Sequence, residues 1–245
     1  YMANYLEKRL NPCLLVPGVR SIISLALNYA PAQQIPKGEY QIAAYALGQD
    51  YHDLMKLKMR ELATKIAEQY QIPQNKEDEE PTIRCFCDTA PVLERYWAQK
   101  AGLGWVGRNH QLIIPHAGSM FFLGEIFLPF DTDNYDEPIP NRCGRCHRCI
   151  DACPTRAIIP DEDFHAERCL SYQLIENREE LSDEAKAAMG DTIYGCDRCQ
   201  TACPWNRYAT PNTEPTLQPK PELLSMSKEK WHNLTVEEYQ RLFKG

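Results

Sequence analysis

The sequence predicts an α/β (α+β) domain followed by a small cysteine-rich module. Over residues 1–131, apolar segments of strand length alternate with helical patterns, which is typical of a sheet covered by helices. Eight of the eleven cysteines lie after residue 142, most of them in two tight groups. A polar stretch with prolines separates the two parts. We therefore expect domains at 1–131 and 132–208, followed by a proline-rich strap and a helix at 209–245.

Four apolar segments are predicted to be strands. The first reads SIISLALNY and has the length and composition of a buried strand. A charged run, QNKEDEEP at 74–81, precedes the second and is expected to be an exposed loop. The predicted strands are residues 21–29, 82–88, 111–115 and 120–128.

Two helices of the first domain are predicted from their residue patterns. Residues 51–70 form an amphipathic helix. A second helix opens at Ala90-Pro91, because proline suits the first helical turn, and it stops near Gly102. The apolar stripe of the first helix is predicted to be Leu54, Leu57, Leu62, Ile66 and Tyr70.

Two later helices are predicted from their caps. Ser182 is a typical N-cap, and Gly190 follows the end of a helix over 183–189. Thr235 and Glu238 have the spacing of a capping box, in which each side chain binds the backbone N–H of the other residue. This box predicts a short C-terminal helix.

The composition excludes several classes of protein. The net charge of −7, from 27 basic and 34 acidic residues, argues against a protein that coats nucleic acid non-specifically. The most apolar stretch, residues 120–130, is too short to span a bilayer and contains Glu125. No secretory signal is visible, so we expect a cytoplasmic protein. We also expect the protein to be a monomer. The chain begins at Tyr1 rather than Met. We therefore expect it to be a fragment of a longer protein, with further residues before Tyr1.

The cysteine-rich module contains an internal repeat. The segments CHRCIDACPTRA (146–157) and CDRCQTACPWNR (196–207) share the pattern C-x2-C-x3-C-P. Cys143 extends the first copy to C-x2-C-x2-C-x3-C-P, the run found in bacterial two-cluster ferredoxins. Structural zinc also uses C-x2-C pairs, but zinc sites rarely repeat the third cysteine, the fourth and the proline. The spacing therefore favours a ferredoxin-like module with two [4Fe–4S] clusters that transfers single electrons.

The ferredoxin pattern also assigns the ligands. Three cysteines of one run bind one cluster, and the fourth binds the other cluster. In the second copy Ile193 stands where the first cysteine would be, so Cys169, the cysteine left unassigned nearby, is expected to complete that set. The first cluster is predicted to be bound by Cys143, Cys146, Cys149 and Cys203, and the second by Cys153, Cys169, Cys196 and Cys199.

The stretch CFCDTAP at 85–91 contains a candidate acid, Asp88. Asp88 ends a predicted strand, and ligands commonly bind at that edge of α/β sheets. A buried carboxyl group there would suit proton donation. Asp88 is also placed to cap the following helix, and the residues alone leave both roles open. Cys85, Cys87 and Cys13 lack further candidate ligands nearby and are predicted to be packing residues.

The segment GLGWVGRNH at 102–110 contains three glycines in six positions. Glycine lets a backbone approach a bulky ligand closely. The order G-x-G-x-x-G follows a helix rather than a strand, so a dinucleotide site is not expected. His52 and His110 are candidate ligands or hydrogen-bond donors, although a lone histidine is more often structural.

Together these motifs resemble the cobalamin-dependent epoxyqueuosine reductases, which are iron–sulfur relatives of the reductive dehalogenases. The resemblance covers nearly the whole chain. It rests on LVPGVRSIISLALNY (15–29), DYH (50–52), DTAPVLERYWAQKAGLGWVGRNH (88–110), CGRCHRCIDACPTRAI (143–158), RCLSY (168–172) and YGCDRCQTACPWNR (194–207).

The resemblance implies a reaction, its partners and its residues. The first domain would bind cobalamin, and the enzyme would remove the epoxide oxygen of epoxyqueuosine at the wobble position of tRNA, giving queuosine. Its partners would be the tRNA anticodon loop and an external electron donor. The proton donor of the family's D-T-[AG] motif corresponds to Asp88. The residues that would contact cobalamin are Tyr51, His52, Arg108, Asn109, His110, Ser171 and Asp197.

Two other functions fit parts of the sequence. A corrinoid iron–sulfur reductase of a small molecule, such as an organohalide, would share the acid and the clusters. A two-cluster electron carrier would use the α/β domain as a structural partner, and the corrinoid content separates it from either reductase. For tRNA binding we expect a local basic face near Lys56, Lys58 and Arg60, or around the arginines of the cysteine-rich module.

Overall fold

The computed structural model describes residues 4–73, 82–160 and 164–243, and the predicted charged loop at 74–81 lies outside these ranges. Within them, no helix has both the length and the apolar character needed to cross a membrane. The strands are β1 (Ser21–Asn28), β2 (Gln41–Ile42), β3 (Arg84–Phe86), β4 (Trp105–Val106), β5 (Leu112–Ile113), β6 (Phe121–Leu128) and β7 (Thr192–Tyr194). The helices are α1 (Leu6–Leu10), α2 (Tyr51–Gln69), α3 (Glu94–Lys100), α4 (Arg148–Asp151), α5 (Leu170–Ile175), α6 (Asp183–Met189), α7 (Arg198–Thr201), α8 (Pro221–Leu224), α9 (Lys228–His232) and α10 (Val236–Phe243).

The predicted mixture of strands and helices is confirmed, with two shifts in detail. All four predicted strands are present, although β3 and β5 are shorter than expected. The helix expected to open at Pro91 begins at Glu94 instead. The intervening residues form a turn in which the Val92 N–H donates to the Ala90 carbonyl oxygen. Proline therefore precedes this helix rather than starting it.

The buried stripe of α2 differs from the predicted one. Of the predicted residues, Leu57 and Tyr70 are each 56% exposed. A side chain on Gly124 of β6 would come within 2.7 Å of the Met59 sulfur, so α2 approaches the sheet closely at this glycine. Small and flexible side chains suit such a close approach better than leucines do. The residues that α2 buries are Met55, Met59, Ala63 and Ala67.

The chain divides into two compact units, each discontinuous in sequence. These units are defined by contacts in space. The predicted domains at 1–131, 132–208 and 209–245 are instead continuous in sequence, and they stay a prediction. Unit 1 comprises Tyr1–Leu27, Tyr51–Val106 and Phe121–Arg142, and unit 2 comprises Asn28–Asp50, Gly107–Met120 and Cys143–Gly245.

Unit 1 is built on a sheet with the strand order β1-β6-β3. The central strand, β6, is buried over seven of its eight residues. It pairs antiparallel with β3, so that Phe86 lies opposite Glu125. The helices α2 and α3 pack against β6. A core cluster of Val16, Phe86, Val92 and Phe127 includes the last residue of β3.

Unit 2 contains the cysteine repeat. The helices α4 and α7 belong to the two copies of the repeat and pack against each other. The strands β2 and β7 pair in parallel. Gly195 follows β7 with φ 65°, and a side chain there would lie 2.5 Å from the Ala43 Cβ, so only glycine fits before Cys196. The proline-rich strap contains a short 3-10 helix at Pro215–Leu217.

Candidate active site and cluster ligands

Asp88 lies in a turn just after β3. Its φ of 59° is in the left-handed region, which few residues other than glycine adopt. The Asp88 N–H donates to the carboxylate of Glu94, and the Thr89 N–H donates to the Cys87 carbonyl oxygen at 2.7 Å. The alternative role as a helix cap is wrong, because the N-cap position of α3 is Leu93.

Two residues at the start of α2 hold the Asp88 carboxylate. The Tyr51 hydroxyl donates to Asp88 Oδ2 at 3.1 Å, and His52 Nε2 lies 3.2 Å from the same oxygen. The Tyr51 ring stacks on Phe122, with ring centroids 3.8 Å apart, which fixes the direction of its hydroxyl. The Asp88 side chain is 53% exposed rather than buried. The carboxyl group is therefore oriented and still accessible to a substrate.

Sequence reasoning missed two acidic residues as site residues: Glu94, which contacts Asp88, and Glu125, which interacts with the charge of Glu94. The pKa of Glu94 is raised to about 7, mainly by burial; the hydrogen bond from the Asp88 N–H opposes this rise, and the Asp88 charge adds to it. Glu125 is 0% exposed, and neither of its carboxyl oxygens has a hydrogen-bond partner within the described ranges. Burial, followed by the charge of Glu94, raises the pKa of Glu125 to about 9. Glu125 is therefore protonated at neutral pH. Its position within the apolar strand FFLGEIFL was the available signal.

The cysteines next to Asp88 behave as packing residues. Cys87 is buried, and burial is the main cause that raises the pKa of its thiol. Burial also raises the pKa of Cys85 to about 11. Both thiols therefore stay protonated near neutral pH. The packing role predicted for Cys13 is wrong, because this residue is exposed.

The eight cysteines of the module fall into two neighbourhoods. In the first, burial raises the pKa of Cys149 and the nearby thiols of Cys143 and Cys203 raise it further. Cys143 and Cys146 act in the same way on Cys203. In the second, burial raises the pKa of the Cys199 thiol, followed by Cys196, Cys169 and Cys153, and last by Cys149 of the first neighbourhood. Each neighbourhood thus contains the four thiols predicted for one cluster.

The thiols are spread more widely than around a single ion. Across the part of the chain that the structure describes, no three His, Cys, Asp or Glu side chains converge as one metal ion would require. A [4Fe–4S] cluster has a different requirement, because it is held by four separate cysteine thiolates. The spread is compatible with cluster ligation.

A cavity of about 210 Å³ lies beside the second neighbourhood. Asn109, Ser171 and Asp197 line it, together with the four cysteines of that neighbourhood. Asn109 is 3% exposed, and its Nδ2 has no hydrogen-bond partner among the described residues. Asp197 is partly engaged, since its Oδ2 accepts from the Ala44 N–H at 2.6 Å. A larger cavity of about 600 Å³ shares Ala43, Cys196 and Asp197 with the first.

The other residues predicted to contact cobalamin do not line this cavity. Arg108 donates to the carbonyl oxygens of Gly144 at 2.7 Å and Cys146 at 3.1 Å, and so braces the first cysteine loop. The ring of His110 lies 5.1 Å from that of Phe164, which does line the cavity. Tyr51 and His52 contact Asp88 instead.

The glycines of GLGWVGRNH mainly make room for the protein's own atoms. A side chain on Gly107 would come within 2.5 Å of the Ile113 side chain. Gly102 has φ 69°, and a side chain there would lie 2.7 Å from the Glu137 carbonyl oxygen. The expected approach of a bulky ligand is therefore wrong at these two positions.

Comparisons with known proteins match both parts of the chain. The family model described as 4Fe-4S double cluster binding domain matches residues 142–206, and the one described as epoxyqueuosine reductase QueG, DUF1730, matches residues 9–89. The epoxyqueuosine reductase of Cellulophaga algicola is 42% identical over 243 residues, which cover 99% of this chain and 76% of that protein. The chain belongs to the epoxyqueuosine reductase family. This confirms the resemblance seen in the sequence, the double-cluster module and the assignment to the oxidoreductases.

Solved structures of the family agree. An epoxyqueuosine reductase from Bacillus subtilis matches with a TM-score of 0.81 and 30% identity, covering 97% of this chain. An epoxyqueuosine reductase with an epoxyqueuosine-modified tRNA-Tyr stem loop also has a TM-score of 0.81, with 29% identity over 97% of this chain. The present chain covers 62% of each of these solved chains.

Proposed function

We propose that this chain reduces epoxyqueuosine to queuosine at the wobble position of tRNA. Its membership of the family supports the reaction. The observation that carries the proposal is the arrangement at Asp88, where Tyr51 and His52 hold a half-exposed carboxyl group. Such a group can transfer a proton to a bound substrate, because it is oriented without being sealed from the substrate.

The position of Asp88 in a turn supports its role as the proton donor. The solved Bacillus subtilis relative has an aspartate catalytic loop that is swung out of its active site. Asp88 likewise lies in a turn outside regular secondary structure, with a left-handed backbone. A turn held by a few side-chain contacts can move without disturbing the sheet.

We assign the eight cysteines to two [4Fe–4S] clusters. The two thiol neighbourhoods support this assignment, and so does the match to the double-cluster family model. Cys143, Cys146, Cys149 and Cys203 would bind the first cluster, and Cys153, Cys169, Cys196 and Cys199 the second. The match to a 4Fe-4S model also makes structural zinc the weaker alternative.

The polar residues that line the smaller cavity match the hydrogen-bonding chemistry of a corrinoid. Corrins carry carboxamide side chains, and the unpaired Nδ2 of Asn109 offers a donor to a carboxamide oxygen. Asn109, Ser171 and Asp197 would hold the cofactor beside the second cluster. His110 would support this wall through Phe164, which lines the cavity, whereas Arg108 braces the loop of the first cluster. Cobalamin bound here would supply low-valent cobalt as the reductant for the epoxide-bearing ring.

The protein's own residues account for the protons. Two electrons and two protons convert the epoxide to an alkene and water: both C–O bonds break and a C=C bond forms. Asp88 donates a proton to the epoxide oxygen as the first C–O bond breaks. The Tyr51 hydroxyl and His52 then stabilise the carboxylate that Asp88 becomes. The exposed side of Asp88 can accept the second proton from solvent and pass it to the leaving oxygen.

We propose that the tRNA anticodon loop and an external electron donor are the partners. The solved relative with a modified tRNA stem loop supports the first. A basic face at Lys56, Lys58 and Arg60 on α2 remains our candidate for phosphate contacts. Lys58 and Arg60 are exposed, as such contacts require.

The test is anaerobic incubation of the cluster-loaded protein with epoxyqueuosine-containing tRNA, a reductant and cobalamin, followed by mass analysis of the nucleosides. We expect queuosine from the unmodified protein and a loss of about 10²–10⁴-fold in rate for Asp88→Asn. Asp53→Asn, an exposed aspartate on α2, is the matched control and should retain the rate.

Each alternative predicts a different result. No conversion by the fully loaded protein would contradict the proposed function, and conversion of an organohalide instead would favour the small-molecule reductase. About eight irons per chain without a bound corrinoid would favour the electron carrier. An Asp88→Asn variant that converts tRNA at the unmodified rate would show that another group donates the proton.

A further inference from the structure

The turn that carries Asp88 is tied to the first residue of α3. The Glu94 carboxylate accepts the backbone N–H of Asp88. The helix that presents Glu94 is firmly placed, because α3 packs against β6 and its Ala98 is 0% exposed. The Asp88 N–H is therefore bound to a residue whose own position is fixed by the packing of α3.

We infer that Glu94 is a positioning residue for Asp88: its carboxylate holds the Asp88 N–H and keeps the turn in the conformation that presents the Asp88 carboxyl group for proton transfer. The inference deepens the proposed function and rests on it. Glu94 itself touches the backbone of the acid and not the reacting atoms.

The backbone of Asp88 needs such a contact. A left-handed conformation costs free energy for a residue with a side chain, so it persists only where surrounding contacts hold it. The contacts of the Asp88 carboxylate are half exposed and consequently weakened by water. The bond from the Asp88 N–H goes to a carboxylate that is partly buried, and a charged acceptor in such a place forms a strong hydrogen bond.

Glu125 shapes the surroundings of Glu94. It is the fully buried carboxyl group whose pKa is raised partly by the charge of Glu94. An ionised Glu125 would disfavour the Glu94 anion, whereas a protonated one does not. Glu125 in its neutral state thus adds no charge that would oppose ionisation of Glu94.

A simpler role for Glu94 must be distinguished from positioning. An acidic residue in the first turn of a helix stabilises that helix through its dipole. Glu94→Gln removes the charge but keeps an oxygen that can accept the Asp88 N–H, whereas Glu94→Ala removes both. The two variants therefore separate the acceptor from the charge.

The experiment is residue-resolved hydrogen–deuterium exchange on the cluster-loaded protein. In Glu94→Ala we expect the Asp88 amide to exchange roughly tenfold faster or more, while the amides of α3 keep their protection. Glu94→Gln should retain most of the protection. Lys100→Ala, an exposed residue at the end of the same helix, is the control and should change neither. In the conversion assay, Glu94→Ala should lower kcat with little change in KM, and Glu94→Gln should restore much of the rate.

Three outcomes would overturn the inference. The first is that the Asp88 amide stays protected in Glu94→Ala. The second is that this amide exchanges as fast in Glu94→Gln as in Glu94→Ala. The third is that Glu94→Ala causes a general loss of protection along α3. If the unmodified protein converts no tRNA while Glu94→Ala still loosens the Asp88 amide, the proposed function fails and the contact between Glu94 and the turn stands.

Discussion

The two units of the chain encode their sites in different ways. In unit 2, the cluster ligands follow local spacing, and the two copies of the repeat fold alike: α4 and α7 each begin with arginine and carry a cysteine, Cys149 or Cys199, at the second position. In unit 1, the site at Asp88 is assembled from the start of α2, the turn after β3 and the start of α3. Ligand spacing can be read along the chain, whereas a site built from distant segments requires the fold.

Both units bury ionisable groups, and they accommodate them differently. In unit 2, burial raises the pKa of the Cys149, Cys169 and Cys196 thiols, which favours their protonated form when no iron is bound. Binding of iron reverses this, because a coordinated thiol is deprotonated. In unit 1, no such ion is needed, since Glu125 keeps its proton. Removal of a ligand in unit 2 and of a carboxyl group in unit 1 tests this difference between the units.

The largest effect is expected for Cys169→Ala. This cysteine lies outside both copies of the repeat, and we assign it as the fourth ligand of the second cluster. Its loss should lower the iron content from about eight to about four atoms per chain and abolish tRNA conversion. Iron analysis and the visible absorption of anaerobically reconstituted protein measure this directly.

Cys13→Ala is the matched control for the ligand assignment, because Cys13 is exposed and lies far from the repeat in sequence. It should retain about eight irons per chain. A Cys169→Ala protein with unchanged iron would show that another residue completes the second cluster.

The next largest effect is expected for Glu125→Gln, which removes the buried carboxyl group of unit 1. Glu125 ordinarily ionises at 4.5, but in the fold its pKa is raised to about 9, first by burial and then by Glu94. Between these values the unfolded chain binds fewer protons than the native one, so the free energy of unfolding falls as the pH rises. The fall amounts to roughly 3 kcal/mol by pH 7. Glu125→Gln should remove it and become increasingly more stable than the unmodified protein from pH 5 to pH 8.

Denaturant unfolding at several pH values measures this difference. Glu61→Gln, an exposed position on α2, should leave the pH dependence unchanged. If the stability difference between Glu125→Gln and the unmodified protein is the same at pH 5 and pH 8, Glu125 does not hold a proton that the unfolded chain releases.

Local features were predictable because few neighbouring residues determine them. Ser182 caps α6 as expected, with its hydroxyl accepting the Ala185 N–H at 3.1 Å. The capping box also forms, since the Thr235 N–H donates to Glu238 at 2.9 Å and the Glu238 N–H donates to Thr235 at 3.2 Å. The cysteine repeat was predictable for the same reason, because the spacing of its cysteines along the chain indicates which ligands they form.

Features that depend on distant residues were not predictable. The stripe that α2 buries is decided by its close approach to Gly124, more than fifty residues further along the chain. Glu94 was interpreted as part of a helix, and its contact with the Asp88 N–H depends on a turn that brings the two together. Asp88 itself was found through the family resemblance, since the spacing also allowed a capping role.

The smallest effect is expected for Tyr51→Phe, which tests how the Asp88 carboxylate is held. Tyr51→Phe removes the hydroxyl that donates to Asp88 Oδ2 at 3.1 Å, while the ring can keep its stacking on Phe122. The carboxylate formed after proton transfer then loses one of its two partners, and His52 remains at 3.2 Å. Because Asp88 is half exposed, water replaces part of the lost bond, and we expect about 1 kcal/mol, or a fall in kcat of roughly five- to tenfold.

Single-turnover conversion of the modified tRNA measures this fall, and Tyr96→Phe is the matched control. Tyr96 lies on α3 and is 50% exposed, so its hydroxyl should be dispensable. A rate for Tyr51→Phe equal to that of the unmodified protein would show that His52 alone orients the acid. A loss as large as that of Asp88→Asn would mean that the tyrosine hydroxyl takes part in the proton transfer itself, and the site would then contain two acids rather than one acid and its support.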